Sequence, residues 1–156
     1  MAYISFKPSD YFKTKLYTGT GSSNAITGVG FQPDFTWIKN RDASDNHMLF
    51  DAVRGVTKFI HSNLTTAETT QAESLKTFDS DGFTVGTYGD VNTNTEDFAS
   101  WNWKAGTTSG ISGGTITPSS YSINTTSKIG IYKWSGTGTA GTIAHGLGVT
   151  PTMMIV

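Results

Sequence analysis

A short unit that occurs twice constrains this chain more than any single residue does. Leu16-Tyr17-Thr18-Gly19-Thr20-Gly21 is matched by Tyr132-Lys133-Trp134-Ser135-Gly136-Thr137-Gly138, in each case a strand-like run ending in Gly-Thr-Gly. Beyond it Ile26 corresponds to Ile143, Gly30 to Gly148 and Pro33 to Pro151, with one residue inserted in the second copy. Phe35-Thr36-Trp37-Ile38 then corresponds to Met153-Met154-Ile155-Val156. The copies lie about 117 residues apart. That period is too long for a solenoid and suits a whole small β domain. Physically, a strand ends at glycines that supply positive φ, and a short exposed loop follows. The proline then sets the chain's entry into the next buried strand. The second copy stops where Lys39-Asn40-Arg41 would follow in the first. The expectation is therefore a longer natural polypeptide, with residues 128–156 beginning a second, incomplete module.

The local pattern agrees with an all-β chain. Glycine accounts for 18 of 156 residues and charged residues for only 15%, a composition of many turns rather than long helices. Period-two alternation predicts strands at 35–39, 82–87, 98–104 and 129–134. The turn signal Asp79-Ser80-Asp81-Gly82 precedes the second of these. Ala99, Trp101 and Trp103 share one strand face, opposite Ser100 and Asn102. Phe35, Trp37 and Trp101 are assigned to a sandwich core. The segments 48–55 and 56–60 read as two strands around a turn, and 65–73 as a loop with room for one helical turn.

Four segments result. Residues 1–12 carry Tyr3, Ile4, Phe6, Tyr11 and Phe12, too apolar to stand in solvent, and are read as an attachment segment. Residues 13–104 form the first β module. Residues 105–127, nearly uncharged and rich in Gly, Ser and Thr, form a connector to which Ile116, Tyr121 and Ile123 could add an irregular strand.

Charge and composition narrow the functional classes. A net charge of −1 gives no basic field for nucleic acid or an anionic membrane. There is no cysteine, hence no disulfide, thiol nucleophile or thiolate zinc site. The start lacks the basic and apolar regions of a signal peptide, and no apolar run is long enough to predict a spanning helix. His47, His61 and His145 are widely separated and read as loop histidines. No G-x-S-x-G elbow is present. The acids Asp42, Asp45, Asp79, Asp81, Asp90, Glu96 and Asp97 fall mostly at turns, as turn chemistry requires. Asp79 and Asp81 could offer oxygens to calcium, although the EF-hand spacing is absent. Arg41 is expected to pair with a carboxylate such as Asp51 or Asp42. Asp51 and Arg54 are expected to form a partly buried ion pair tying two strands together. Trp101 and Trp103 could form a sugar-stacking platform, since an indole face matches the apolar face of a pyranose, although two tryptophans on one strand face more often belong to the core. No cofactor is called for.

The segments YFKTKLYTGTG, GFQPDFTWIKNRD, LFDAVRG, IHSNLTTAE, FDSDGFTVG and ASWNWKAG, with AHGLGVTPTMMI near the end, resemble in order a module of tailed-phage structural and tail-fibre proteins. The resemblance covers nearly the whole chain from Tyr11 to Val156. It implies an antiparallel β-sandwich, a concanavalin-like jelly roll of the laminin-G type, and a place in the virion on the tail or capsid surface. It supplies no catalytic residues. Three classes follow. The first is a non-enzymatic tail fibre or appendage that mediates assembly and contact with host-surface glycans. The second is a capsid decoration or head-fibre protein with a purely structural duty. The third is a carbohydrate-active enzyme on the same sandwich. The expected partners are further copies of the chain, with a trimer favoured by analogy with phage fibres, and other virion proteins. Nucleic acid and membrane insertion are not expected.

Overall fold

The computed structural model describes residues 6–156. A 3-10 turn at Pro8–Asp10 precedes β1 (Phe12–Thr18), β2 (Asn24–Ile26), β3 (Phe35–Asn40), β4 (Met48–Asp51) and β5 (Lys58–His61). There follow β6 (Thr69–Thr70), β7 (Leu75–Asp79), β8 (Gly82–Val85), the one-turn helix α1 (Gly89–Asn92), β9 (Asp97–Trp103), β10 (Ser120–Asn124) and β11 (Ile129–Lys133). Every pairing between these strands is antiparallel. They build a six-stranded sheet in the order β1-β9-β3-β4-β5-β6, a three-stranded sheet β2-β8-β7, and the hairpin β10-β11. The two larger sheets pack as a sandwich. Ile38, Met48, Phe50, Phe59 and Phe98 of one meet Ile26, Leu75, Phe83 and Val85 of the other, joined by Val91 of α1.

The four expected strands form, and the turn between β4 and β5 lies where 48–60 predicts it. The loop 65–73 gains β6 instead of a helical turn, because Thr69 and Thr70 pair with Phe59 and Lys58 at the sheet edge.

The core assignment of Phe35, Trp37 and Trp101 is corrected. Pairing aligns Phe12, Trp103, Phe35 and Asp51 in one row, and Thr14, Trp101, Trp37 and Leu49 in the next. Directly paired residues project to the same face. Along β3 the fully buried positions are Thr36, Ile38 and Asn40, while Phe35 and Trp37 stay half-buried. Along β9, Phe98, Ser100 and Asn102 are buried, while Trp101 and Trp103 are not. The tryptophans therefore lie on the outer face. A sheet in a two-layer sandwich has one interior side, and Ile38, Met48, Phe50 and Phe98 already occupy it.

The polar residues turned inward are satisfied, as burial requires. Thr36 Oγ1 donates to Asn102 Oδ1 at 3.1 Å. Asn102 Nδ2 donates to Ser100 Oγ and to the Lys13 carbonyl, each at 3.0 Å. A second polar hub is Asn92, with no solvent exposure. Its Nδ2 donates to the Ser22 and Gly86 carbonyls, and its Oδ1 accepts from Thr20 N and Asn24 Nδ2.

The repeated unit is visible in the backbone, but only in part. Gly21 and Gly138, at the ends of the two Gly-Thr-Gly runs, have φ of 62° and 72°. Gly28 and Gly30 have φ of 76° and 87°, and Gly146 and Gly148 have 64° and 70°. Val29 and Leu147, each between two such glycines, are both buried. The loops thus correspond, but the strands after them do not. Phe35–Asn40 is paired on both sides, whereas Met153, Met154, Ile155 and Val156 are exposed and in no strand. A strand persists only against a partner, and none of the described residues pairs with 153–156. The connector is also more ordered than its composition suggests. Its residues 120–124 are β10, so the boundary expected at 127/128 falls in the turn of a hairpin. Asp34 anchors this region to β3, accepting from Ala105 N at 2.8 Å and Ser122 Oγ at 3.1 Å.

Candidate functional site

The outer face of the six-stranded sheet carries a band of aromatic rings. Phe12 and Phe35 flank Trp103 with centroids 4.9 and 5.2 Å away. Trp37 meets Trp101 edge-on at 6.0 Å with 64° between the ring planes, and His47 meets Trp37 at 5.5 Å. Steeply inclined rings leave a cleft rather than a flat platform. Trp37, Trp101, Trp103 and His47 line a cavity of about 170 Å³. Phe12 and Leu16 extend the apolar face along β1, with 38% and 63% of their surface exposed.

His47 fixes the chemistry of this cleft. Trp37 Nε1 donates to His47 Nδ1 at 2.9 Å, so the proton of the neutral imidazole sits on Nε2. Burial pushes the His47 pKa down, and the Lys39 ammonium pushes it down further. The ring is therefore neutral at pH 7. The loop holds it from behind: His47 N donates to Asn63 Oδ1 at 3.0 Å, and the His47 carbonyl lies 3.2 Å from His61 Nδ1. A carbonyl only accepts, so His61 Nδ1 carries its own proton. Lys39 does not reach into the cleft with its charge, because Nζ donates to the carbonyls of Asn40 and Ala43.

The remaining candidate residues are dispersed. Asp81 spends its carboxylate on the first copy of the glycine loop, accepting from Gly28 N at 2.9 Å and Gly30 N at 2.6 Å. These two amides hold its pKa below the usual carboxylate range. Asp79 accepts from Thr84 Oγ1 at 2.7 Å. The two aspartates are thus occupied with separate partners, and among the described residues no cluster of three or more His, Asp or Glu is placed to hold a metal ion. His47 and His61 are neighbours after all, while His145 accepts from Leu147 N within its own loop. Arg41 pairs with Asp97 at 3.7 Å on the surface, not with Asp51 or Asp42. Asp51 and Arg54 do form a buried ion pair at 2.5 Å. Because Arg54 N also donates to Asp51 Oδ1, the pair closes the turn after β4 rather than bridging strands. Of the proposed attachment residues, Tyr3 and Ile4 lie outside the described residues. Phe6 packs edge-on against Tyr11 at 5.5 Å, and Phe12 joins the aromatic band.

Asn40 gathers a second group at one end of β3. Its Nδ2 donates to Asp45 Oδ2 at 2.6 Å and to Glu96 Oε2 at 2.5 Å, and its Oδ1 caps the amides of Asp42 and Ala43. Burial, and then the nearby Asp45 charge, raise the Asp90 pKa. This arrangement ties down the Asn40–Asp45 turn.

The fold and this face define an antiparallel β-sandwich with an open aromatic cleft on its larger sheet. No curated protein and no solved structure matches the chain. The chain belongs to the family described as a domain of unknown function (DUF7483), which it matches over residues 7–156.

Proposed function

We propose that this chain is a structural protein of a tailed-phage virion, a tail fibre or related appendage that makes non-catalytic contact with host-surface glycans. The observation that carries the reading is the outer aromatic face, where Trp37, Trp101 and Trp103 stand half-buried around a cleft. Aromatic side chains clustered on the outer side of a sandwich sheet are a candidate contact surface. The ordered series of phage-like segments supports the virion assignment, and the twice-used glycine loop supports a modular appendage. Self-association, with a trimer as the expected state, and attachment through residues 1–12 belong to the same proposal. The test is to raise antibodies against the chain and label intact particles. Label on the tail is the expected result, label following capsid symmetry would favour a decoration protein, and unlabelled particles would overturn the virion reading. Turnover of soluble glycans by the purified chain would overturn its non-catalytic part.

A further inference from the structure

We infer that the loop 145–148 is a docking point for the aspartate of an Asp-Gly turn on a partner polypeptide, held by the Gly146 and Gly148 amides beside the Lys128 ammonium. The site goes beyond the virion reading and does not depend on it, because the internal repeat alone points to it.

The first copy of the loop shows what such amides do. Gly28 N and Gly30 N each donate to one carboxylate oxygen of Asp81, at 2.9 and 2.6 Å, and Val29 N donates to the Asp81 carbonyl at 3.2 Å. Two left-handed glycines around one buried residue thus make a concave pair of donors that fits both oxygens of a carboxylate. Lys15 adds positive charge, its Nζ lying 3.0 Å from where a Cβ on Gly28 would stand. The acid arrives on a tight turn. Its next residue, Gly82, passes against the Ile26 carbonyl with no room for a side chain.

The second copy repeats the donors without the acid. Gly146 and Gly148 have φ of 64° and 70° around the buried Leu147. Leu147 N donates to His145 Nδ1, but the Gly146 and Gly148 amides have no protein partner among the described residues. A positive charge is again present, since Lys128 Nζ donates to the Leu147 carbonyl at 3.1 Å, between the two glycines. Residues 114–116 bridge to Ile143, as β8 pairs with Ile26, yet they read Gly-Thr-Ile and bring no carboxylate.

The surroundings favour a polypeptide over a free anion. β11 is the counterpart of β1, in which the backbone groups of Lys13 and Lys15 face β9. The flanking bonds, Gly19 N to the Glu96 carbonyl and Lys104 N to the Tyr11 carbonyl, set that parity. Gly130 and Tyr132, their counterparts in the repeat, face away from β10, because Ile123 opposite Gly130 gives both its backbone bonds to Thr107. The positions that β9 pairs in the first copy thus lie, among the described residues, on an open strand edge in the second. Val149 is 45% exposed where its counterpart Phe31 is buried. An open edge, an uncovered apolar side chain and a carboxylate-binding loop suit a β-hairpin partner better than a small ion.

The test uses the full chain labelled with ¹⁵N and a synthetic peptide of residues 76–86, which carries the Asp81-Gly82 turn. The peptide is cyclised, because a free hairpin is marginal. The expected result is saturable movement of the Gly146 and Gly148 amide signals, with the Gly28 and Gly30 amides, already held by Asp81, unmoved. The same peptide with Asp81→Asn should bind about tenfold more weakly, since charge-assisted bonds become neutral ones. Lys128→Glu in the chain should weaken binding by about fivefold or more. Sodium acetate and sodium chloride are the small-ion comparators. The wild-type comparisons require no variant to fold. Absence of movement at Gly146 and Gly148, an equal response to the Asp81→Asn peptide, or unchanged affinity in folded Lys128→Glu would each overturn the assignment. Movement with acetate but not with the peptide would make the loop a small-carboxylate site. Equal movement with acetate and chloride, and none with the peptide, would leave an adventitious ion only. Either result would overturn the partner reading.

Discussion

Replacing Asn92 by alanine tests whether one buried amide holds the first glycine turn against the sandwich. Asn92 makes four hydrogen bonds, from Nδ2 to the Ser22 and Gly86 carbonyls at 2.5 and 2.7 Å, and to Oδ1 from Thr20 N and Asn24 Nδ2 at 2.9 and 3.2 Å. Each such bond contributes about 1 kcal/mol net, and a partner left buried without one costs about 1–3 kcal/mol. The Thr20, Ser22 and Asn24 groups lie near the surface and can turn to water, while the Gly86 carbonyl sits against the core. We therefore expect Asn92→Ala to cost about 3–4 kcal/mol. With a urea slope on the order of 2 kcal/mol/M, the midpoint should fall by about 1.5–2 M. Tryptophan fluorescence during urea unfolding measures it. Asn92→Asp gives a sharper check, because a carboxylate oxygen would face the two carbonyls that Nδ2 now serves. The folded state would then raise that acid's pKa above its unfolded value. The variant's deficit is smallest below about pH 4 and grows as pH rises through that value. A midpoint for Asn92→Ala within experimental error of wild type, or an Asn92→Asp deficit independent of pH, would refute the hub.

The same reasoning extends to four other positions. His47 has a lowered pKa in the fold, so its contribution is complete above the ordinary value of about 6.5 and is lost as pH falls through the depressed one. Lys39 and His61 are the charged or titratable groups beside it. Protonation would break the Trp37–His47 bond. Wild-type fluorescence should therefore change below pH 6.5, while a flat titration to pH 4 would contradict the assigned tautomer. Asp81→Ala should lower the thermal midpoint at pH 7 and much less at pH 2–3, because the depressed Asp81 pKa makes its contribution present above the unfolded value of about 3.9 and lost as pH falls through the folded one; an equal drop at both pH values would show that the Gly28 and Gly30 amides do not depend on the charge. Gly82→Ala places a Cβ 1.9 Å from the Ile26 carbonyl oxygen at φ 149°, whereas Gly30→Ala, at φ 87°, meets open space. Gly30→Ala should cost about 1–2 kcal/mol of left-handed strain, and Gly82→Ala should unfold the β2–β8 pair. Equal midpoints would count against the tight β2–β8 approach.

Strand positions were legible because period two survives whichever face is buried. The face was not legible from hydrophobicity alone. In FTWIKN the rule that aromatics point inward puts Phe35 and Trp37 in the core, yet Lys39 is in phase with both. In DFASWNW, Asp97 is in phase with Ala99, Trp101 and Trp103. A charge that shares parity with aromatics marks the outer side, and this signal was available. The hydrogen-bonding partners of Thr36, Ser100 and Asn102, which make a polar interior tolerable, come from β1 and from each other, and nothing local announces them. His47 was similarly hidden. It precedes β4 in a polar loop, and only the β3–β4 register brings it to Trp37, ten residues away in the chain. The glycine loops were readable because positive φ is a property of the residue itself. The fate of 153–156 was not, because a strand needs neighbours that its own sequence does not supply.

The exchange of faces has a mechanical consequence for the cleft. Its floor is formed by β3 and β9, each with hydrogen-bonded neighbours on both sides over most of its length. Behind that floor, Thr36, Asn102 and Ser100 form a side-chain ladder that links β3 to β9 and reaches the Lys13 and Lys15 carbonyls of β1. Hydrogen bonds are directional where hydrophobic contacts are not, so the ladder fixes the lateral spacing of these strands and thereby the spacing of Trp37, Trp101 and Trp103 on the opposite side. Segments doubly paired and backed by buried polar contacts open last in local unfolding. A cleft set on such strands is preorganised in a way that one on a loop is not. The polar interior under the tryptophans and the aromatic exterior above them are therefore two sides of one arrangement. The same strands that lose apolar burial inward gain a rigid aromatic face outward.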